Sequence, residues 1–409
     1  MMPAVPTLRR SHAAFVYVTI FLDMLAFGII GPILPKLVET LAHTGIARAA
    51  LIVGIFGVAW AIMQFFCAPI FGLLSDRIGR RPLILFSNIG TAVDYAIMAL
   101  APSIGWLFIG RVLSGATTAS TTVAMAYIAD STKPEERAKA FGMVGAAFGL
   151  GFIVGPAIGG YLGAFDPRLP FWVAAFFGLI NFAYGWFVLP ESLAPQYRSD
   201  RMDWRKANPL GSLTFLRSQK KLFGLSSIFL FTHLAHEIFP YVWVLYCMAA
   251  FSWSSTQIGG TLALVGIVSA LSSMVLVSPA VQRFGERRTL IGGLAFATMA
   301  YVLFAQYQNG PLFLIGILVS GFSIYAAPLQ AIMTKRVGPS HQGELQGAIS
   351  AVRGLMMIAG PPLYTALFWF VTGPYKDRGL LGTPWLFAAV LTAIAIPVAL
   401  RATHRMDPE

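Results

Sequence analysis

The chain has 409 residues, 57% of them hydrophobic and only 11% charged, with a formal net charge of +12. That charged share is less than half of what a soluble domain carries, which excludes an ordinary water-soluble enzyme, and the apolar excess excludes disorder. The two cysteines, Cys67 and Cys247, lie in apolar stretches and cannot form a secreted disulfide framework.

Hydrophobic runs of helical length recur at 13–36, 50–74, 82–101, 106–129, 139–163, 170–189, 222–250, 257–280, 289–306, 311–333, 343–371 and 384–401. Each is long enough to cross a bilayer, which takes about 20 apolar residues. The first run continues into Pro32 and Pro35 with no small-residue cleavage site, so it reads as a span rather than a signal peptide. The longest polar stretch, Glu191 to Lys221, separates the sixth run from the seventh. The expectation is an all-α membrane protein of twelve transmembrane helices in two pseudo-symmetric six-helix bundles. The first would be 1–190 and the second 222–409, joined by a cytoplasmic linker at 191–221.

Charge sets the expected orientation. With both termini cytoplasmic, 22 of the 29 Lys and Arg residues fall on the cytoplasmic side. Lys36, Arg48, Arg168, Lys376 and Arg378 fall outside, and Arg111 and Arg353 fall within helices. This is a strong positive-inside pattern. It explains the basic balance through anionic lipid, not nucleic acid.

The halves repeat. Asp76-Arg77-Ile78-Gly79-Arg80-Arg81 after the second run is echoed 206 positions later by Gln282-Arg283-Phe284-Gly285-Glu286-Arg287. Gly155-Pro156 is echoed 205 positions later by Gly360-Pro361. Parallel repeats of this kind mark transporters that bind substrate between their halves.

Two motifs stand out. In the loop from Gly72 to Arg81, Gly72 and Gly79 permit a tight turn. Asp76 among arginines suits a helix N-terminus. An acid among the bases suggests a conformational latch made by Gly72, Asp76, Arg77, Gly79, Arg80 and Arg81, with the start of the eleventh helix as the natural partner of Asp76. Gln282 in the second copy makes that latch asymmetric. In the fifth helix, Gly142, Gly151, Gly155-Pro156 and Gly159-Gly160 allow close helix approach, and the proline bends the helix.

On these motifs the sequence resembles the major facilitator superfamily, and within it the drug/proton antiporters. The loop at 72–81 looks like the superfamily signature, the glycine pattern at 142–160 matches the antiporter signature, and Leu107–Gly115 around Arg111 is similar to the fourth-helix arginine motif. Met63–Pro69, Val93–Met98, Val242–Leu245 and Leu329-Gln330-Ala331 look like the tetracycline/proton antiporters. The resemblance covers essentially the whole chain. It implies proton-coupled export of tetracycline as a divalent-cation chelate from a bacterial inner membrane, with no bound cofactor and no enzyme activity. It also implies a protein that works as a monomer with protons, lipid and a small amphipathic substrate as its partners.

Charges inside lipid cost roughly 2.5–3.5 kcal/mol each on insertion scales, so each needs a reason. Asp23, Asp94 and Glu237 face two helix-interior bases, Arg111 and Arg353. Three acids against two bases leave one carboxyl in excess. A carboxyl without a counter-ion in such surroundings takes up and releases a proton, as coupling requires. Asp23 and Asp94 lie ten to twelve residues from a cytoplasmic end, roughly 15–18 Å deep at 1.5 Å per residue. By resemblance Asp94 contacts the cationic part of the chelate and Asp23 titrates, tuned by Arg111. His236 and Glu237 are further candidates for proton coupling, and Gln64, Trp243 and Gln330 for substrate binding, with Trp243 stacking on a flat drug.

The pattern departs from the tetracycline exporters in the second half. Their helix 8 histidine and helix 9 aspartate align with Ser269 and Phe296, while Glu237 and Arg353 replace uncharged residues and could compensate each other. His233, His236 and Glu237 share a helical face at a spacing that could hold a metal. No other helix-interior histidine or cysteine pair completes a set, so the expectation is a hydrogen-bonded cluster without metal. The rival readings are an exporter of an endogenous metabolite, sugar or lipid-like compound, a non-transporting membrane sensor, and a membrane enzyme, against which no nucleophile–base pair, metal cluster or nucleotide loop appears in the sequence. The sensor would be expected to carry a soluble output domain.

Overall fold

The computed structural model describes residues 10–117, 120–132, 136–199, 222–337 and 341–404, and every regular element among them is helical. The first half contains α1 (Arg10–Ile30), α2 (Leu34–Ala42), α3 (Ile46–Ile78), α4 (Arg80–Leu100), α5 (Ile104–Thr117), α6 (Ser120–Ser131), α7 (Arg137–Phe165) and α8 (Leu169–Val188). The second contains α9 (Phe223–His236), α10 (Ile238–Phe251), α11 (Ser255–Leu271), α12 (Val277–Phe304), α13 (Gly310–Ser320), α14 (Ala326–Lys335), α15 (Gln342–Thr372) and α16 (Thr383–Ala402). Large apolar side chains such as Phe187 and Leu271 lie exposed along these helices, a surface suited to lipid.

Among the described residues, eight helical stretches are long and apolar enough to cross a membrane alone, or nine if the bent pair α1–α2 is one span. Twelve spans are consistent with this once the breaks are read physically. Helices α3 and α4 are separated only by Gly79, whose φ of 110° suits a residue without Cβ. The repeat position Gly285, with φ 76°, divides α12 in the same way. Helices α9 and α10 meet at Glu237, whose N–H donates to the carbonyls of His233 and Leu234. The expected first span at 13–36 is instead α1 followed by a 42° bend into α2, where Pro32 lacks a backbone donor.

The chain divides into two compact units, one of residues 1–37 with 62–208 and the other of 38–61 with 209–409. The second unit takes in the end of α2 and the first half of α3, and residues 200–221 of the expected linker lie outside the described residues. In the first unit α1 packs on α7 and α8, and α4 on α8, α5 and α6. In the second, α9 packs on α15 and α16, and α12 on α16, α13 and α14. The first helix of each half thus packs on its fifth and sixth, and the third on its sixth and fourth. The repeat read from the motifs is a repeat of packing.

The contact of α7 with α1 explains most of the glycine pattern. A methyl on Gly151 would lie 2.7 Å from the Phe21 carbonyl oxygen, and one on Gly155 2.7 Å from that of Leu25. One on Gly159 would overlap the Ile29 carbonyl. Pro156 sits against Gly28 of α1. Gly142, by contrast, has open space where its Cβ would stand, so close packing does not explain it. Gly28 belongs to the same contact, Gly163 makes room for the Ile33 side chain just beyond α1, and both escaped the motif reading. We expect Gly159→Ala to lower stability by about 1–3 kcal/mol, because the obstructing atoms are backbone and cannot swing away. Gly142→Ala should leave it unchanged or slightly raised. Thermal unfolding of the two purified variants in detergent checks the contrast.

Candidate functional site: ionisable side chains within the helices

In the first unit, α4 carries Asp94 fully buried against α5. A methyl on Gly110 would lie 2.9 Å from its Oδ1, so the glycine makes room for the carboxylate. Arg111 and the Ser114 hydroxyl are its polar neighbours, although neither carboxylate oxygen has a bond meeting hydrogen-bond distance and angle. Tyr95 lies in the shared field of Asp94, Arg111 and Asp23. Asp23 of α1 is half-buried and accepts a 3.0 Å hydrogen bond from Asn181 Nδ2 of α8. Asn181 is absent from the sequence reading, and Gly110 and Ser114 enter it only as members of the Leu107–Gly115 motif, since a polar or small residue in an apolar helix gives no sign of which side chain it faces.

In the second unit, Glu237 stands at the break between α9 and α10, and its side chain fills the space beside Gly360 of α15. It therefore occupies, against Gly360-Pro361, the place that Gly28 occupies against Gly155-Pro156. Arg353 of α15 is within electrostatic reach of Glu237, His233 and His236. Tyr364 is another neighbour of Glu237. Its buried hydroxyl has no hydrogen-bond partner. His233 stacks on Phe229 with ring centroids 3.8 Å apart. Its Nδ1 lies 3.1 Å from the Phe229 carbonyl oxygen. His236 is exposed. Among the described residues no group of three His, Cys, Asp or Glu side chains is placed to hold a metal ion.

The substrate-site candidates are placed unevenly. Gln64 of α3 is half-buried with an Oε1 that has no hydrogen-bond partner, and Gln330 of α14 is exposed. Trp243 corrects the sequence reading. It is completely buried among Phe239, Phe304, Phe313 and Trp385. Its indole N–H donates to Thr261 Oγ1 at 3.1 Å. Such a ring fills a core and has no face left for a flat ligand. Asp94 is likewise sealed, so a ligand could touch it only if α4 and α5 parted.

The loop at 72–81 is built from charge as well as glycine. Its turn depends on Gly79 alone, since Gly72 lies within α3 with open space around it. The Arg80 guanidinium is buried and reaches Asp130 Oδ2 at 3.0 Å, Ser75 Oγ at 2.6 Å and Asp76 Oδ1 at 2.5 Å. Asp76 thus pairs inside its own loop instead of capping a helix. That cap belongs to Glu191, whose carboxylate accepts from the backbone N–H groups of Arg80, Arg81, Ser192 and Leu193, as an anion at a helix start should. Arg81 donates to the Trp186 carbonyl at 2.7 Å, and Arg77 is exposed.

The second copy keeps the ion pair with its signs reversed. Arg80 of α4 bonds Asp130 of α6. At offsets of 206 and 205, Glu286 of α12 accepts from Lys335 of α14 at 2.7 Å. In each unit the start of the third helix is tied to the end of the fourth.

Two bundles with one packing plan, ionisable groups inside apolar helices and basic loops are features of a polytopic membrane transporter. The profile of the Major Facilitator Superfamily matches residues 16–361 and 225–409, and the chain belongs to that superfamily. It is 36% identical to the tetracycline resistance protein, class C, of Escherichia coli over 395 residues, covering 96% of this chain and 98% of that one. With the class G protein of Vibrio anguillarum the identity is 35%, covering 96% and 98%. The crystal structure of the human organic anion transporter MFSD10 (TETRAN) aligns with a TM-score of 0.71 and 23% identity over 95% of this chain and 99% of that one, a likeness of fold.

The reversed pair makes a direct prediction. Glu286→Lys or Lys335→Glu alone should lower the thermal midpoint by roughly 2–4 °C, a small loss because solvent screens the lysine. The double exchange should recover most of it, as measured by unfolding of the four proteins side by side.

Proposed function

We propose that this protein is a proton-coupled efflux antiporter of a bacterial inner membrane, exporting a tetracycline-like amphipathic compound by alternating access. The observation that carries the reading is the set of acidic side chains held within apolar helices, Asp23, Asp94 and Glu237, in a chain over 30% identical to tetracycline resistance proteins. A carboxylate in such a place is costly and is kept where it does work. Both termini lie in the cytoplasm by the distribution of Lys and Arg. The protein acts as a monomer and needs no cofactor. Protons are the coupling ion, and a divalent cation travels only as part of the chelated drug.

Asp23 is the coupling carboxyl in this scheme. It is half-buried and meets a neutral amide. Arg111 is held near Asp94 and tunes the same region. Asp94 presents its charge to the substrate only in a conformation that opens the α4–α5 contact. Glu237 and His236 extend the proton path into the second unit, where Arg353 balances Glu237. The loop at 72–81 latches one conformation at the cytoplasmic side. A second reading, export of an endogenous metabolite, is favoured by Ser269 and Phe296, which stand where the tetracycline exporters carry ionisable residues.

Energised inverted membrane vesicles separate the readings. Tetracycline with magnesium should release stored protons in vesicles containing the protein and not in empty ones. No release with tetracycline or a panel of other amphipathic drugs favours the metabolite exporter. Asp94→Asn should reduce drug-driven proton release roughly tenfold or more with folding intact. Asp23→Asn should remove its pH dependence.

A further inference from the structure

Asn181 lies in the apolar middle of α8 with no exposed surface. Its Nδ2 donates to two acceptors on α1, the Thr19 carbonyl at 3.2 Å and Asp23 Oδ1 at 3.0 Å. Both neighbours are acceptors, so the amide must present its nitrogen, and one hydrogen goes to each. Thr19 precedes Asp23 by four residues, so its carbonyl is the one that receives the Asp23 N–H in an α-helix. The amide therefore ties the carboxylate to the same turn of helix that carries it. That fixes the side-chain rotamer of Asp23 from a neighbouring helix.

From this geometry we propose that Asn181 is a positioning residue for Asp23, holding the charged carboxylate against α1 and thereby setting the pH range over which exchange runs. The inference rests on Asp23 being the coupling group. An amide N–H bonds most strongly to an ionised oxygen, and the bond is lost if that oxygen takes the proton. Uptake of a proton by Asp23 then loosens a contact of α1 with α8, so a change of charge becomes a change of helix packing.

Among the described residues, other ionisable groups stand on and around α1, with Tyr17 on the same helix as Asp23. Tyr95 of α4 shares the field of Asp23, with Asp94 and Arg111 beside it. On α6, Tyr127 donates to the Pro190 carbonyl and Asp130 bonds Arg80. On α8, Tyr184 stacks on Phe15. On α7, Gly151 faces Phe21 and Met24. Arg137 and Lys139 stand roughly 20 Å from it toward one end and Tyr161 roughly 15 Å toward the other, at 1.5 Å per residue. The contact that joins the Asp23 carboxylate to the Thr19 carbonyl is the Asn181 amide.

The test is the pH profile of drug-driven proton release in vesicles. Asn181→Leu keeps the volume and removes both donors. Its midpoint should move by about one pH unit toward alkaline, because a donor to the charged form is gone. Asn181→Gln, which keeps an amide, should move it less than half as far. Infrared difference spectra of the unmutated protein give a second readout that needs no variant of this residue to fold. With asparagine isotopically labelled, an amide band should change with the same pH midpoint as the carboxyl band that Asp23→Asn removes. If the Asn181→Leu profile superimposes on the parent's, or no asparagine band follows the carboxyl, Asn181 has no positioning role. If Asp23→Asn itself keeps the parent's pH dependence, the coupling assignment of Asp23 fails first and this inference with it.

Discussion

The interior of a bilayer offers no water to a charge or to an unbonded amide, and most of what is specific in this molecule answers that constraint. The helices satisfy their own backbones. The acidic side chains placed among them are given polar neighbours or a shaped space. Asp94 has the gap left by Gly110, with Arg111 and Ser114 beside it. Asp23 has the Asn181 amide. Glu237 has the hollow at Gly360 and the field of Arg353. Each arrangement lets an acid exist where it would otherwise be expelled or neutralised.

In lipid, helices gain little from burying apolar surface against each other, so close packing must come from shape. The contact of α7 with α1 achieves this through Gly151, Gly155 and Gly159, where backbone meets backbone. The equivalent step in the second half, Gly360-Pro361, meets Glu237 and not another glycine. Duplication thus preserved a close approach and, in one copy, filled it with a carboxyl.

The ion pairs at the third-helix starts show the same economy. Arg80 with Asp130, and Glu286 with Lys335, join equivalent helices with opposite polarity. What is kept between the copies is the attraction, not the residue. A comparison of residue types alone passes over such a pair, because Glu286 looks like the loss of an arginine and Lys335 like an unrelated base.

Spans, repeat and family were legible in the sequence because they depend on local quantities. Runs of apolar residues, prolines and the placement of Lys and Arg report on insertion into lipid one segment at a time. The repeat at Gly79 and Gly285 was legible because only glycine readily takes positive φ. Partners were not legible. Asn181 and Ser114 are ordinary polar residues until α8 and α5 bring them to Asp23 and Asp94. Trp243 looks like a binding residue until its neighbours enclose it. Asp76 looks like a cap until Glu191, 115 positions further on, takes that place. The sequence by itself determined that these helices enter a membrane and that some carry charge. Only the tertiary structure decided which charge meets which group, because that depends on the rotation and depth at which separate helices pack.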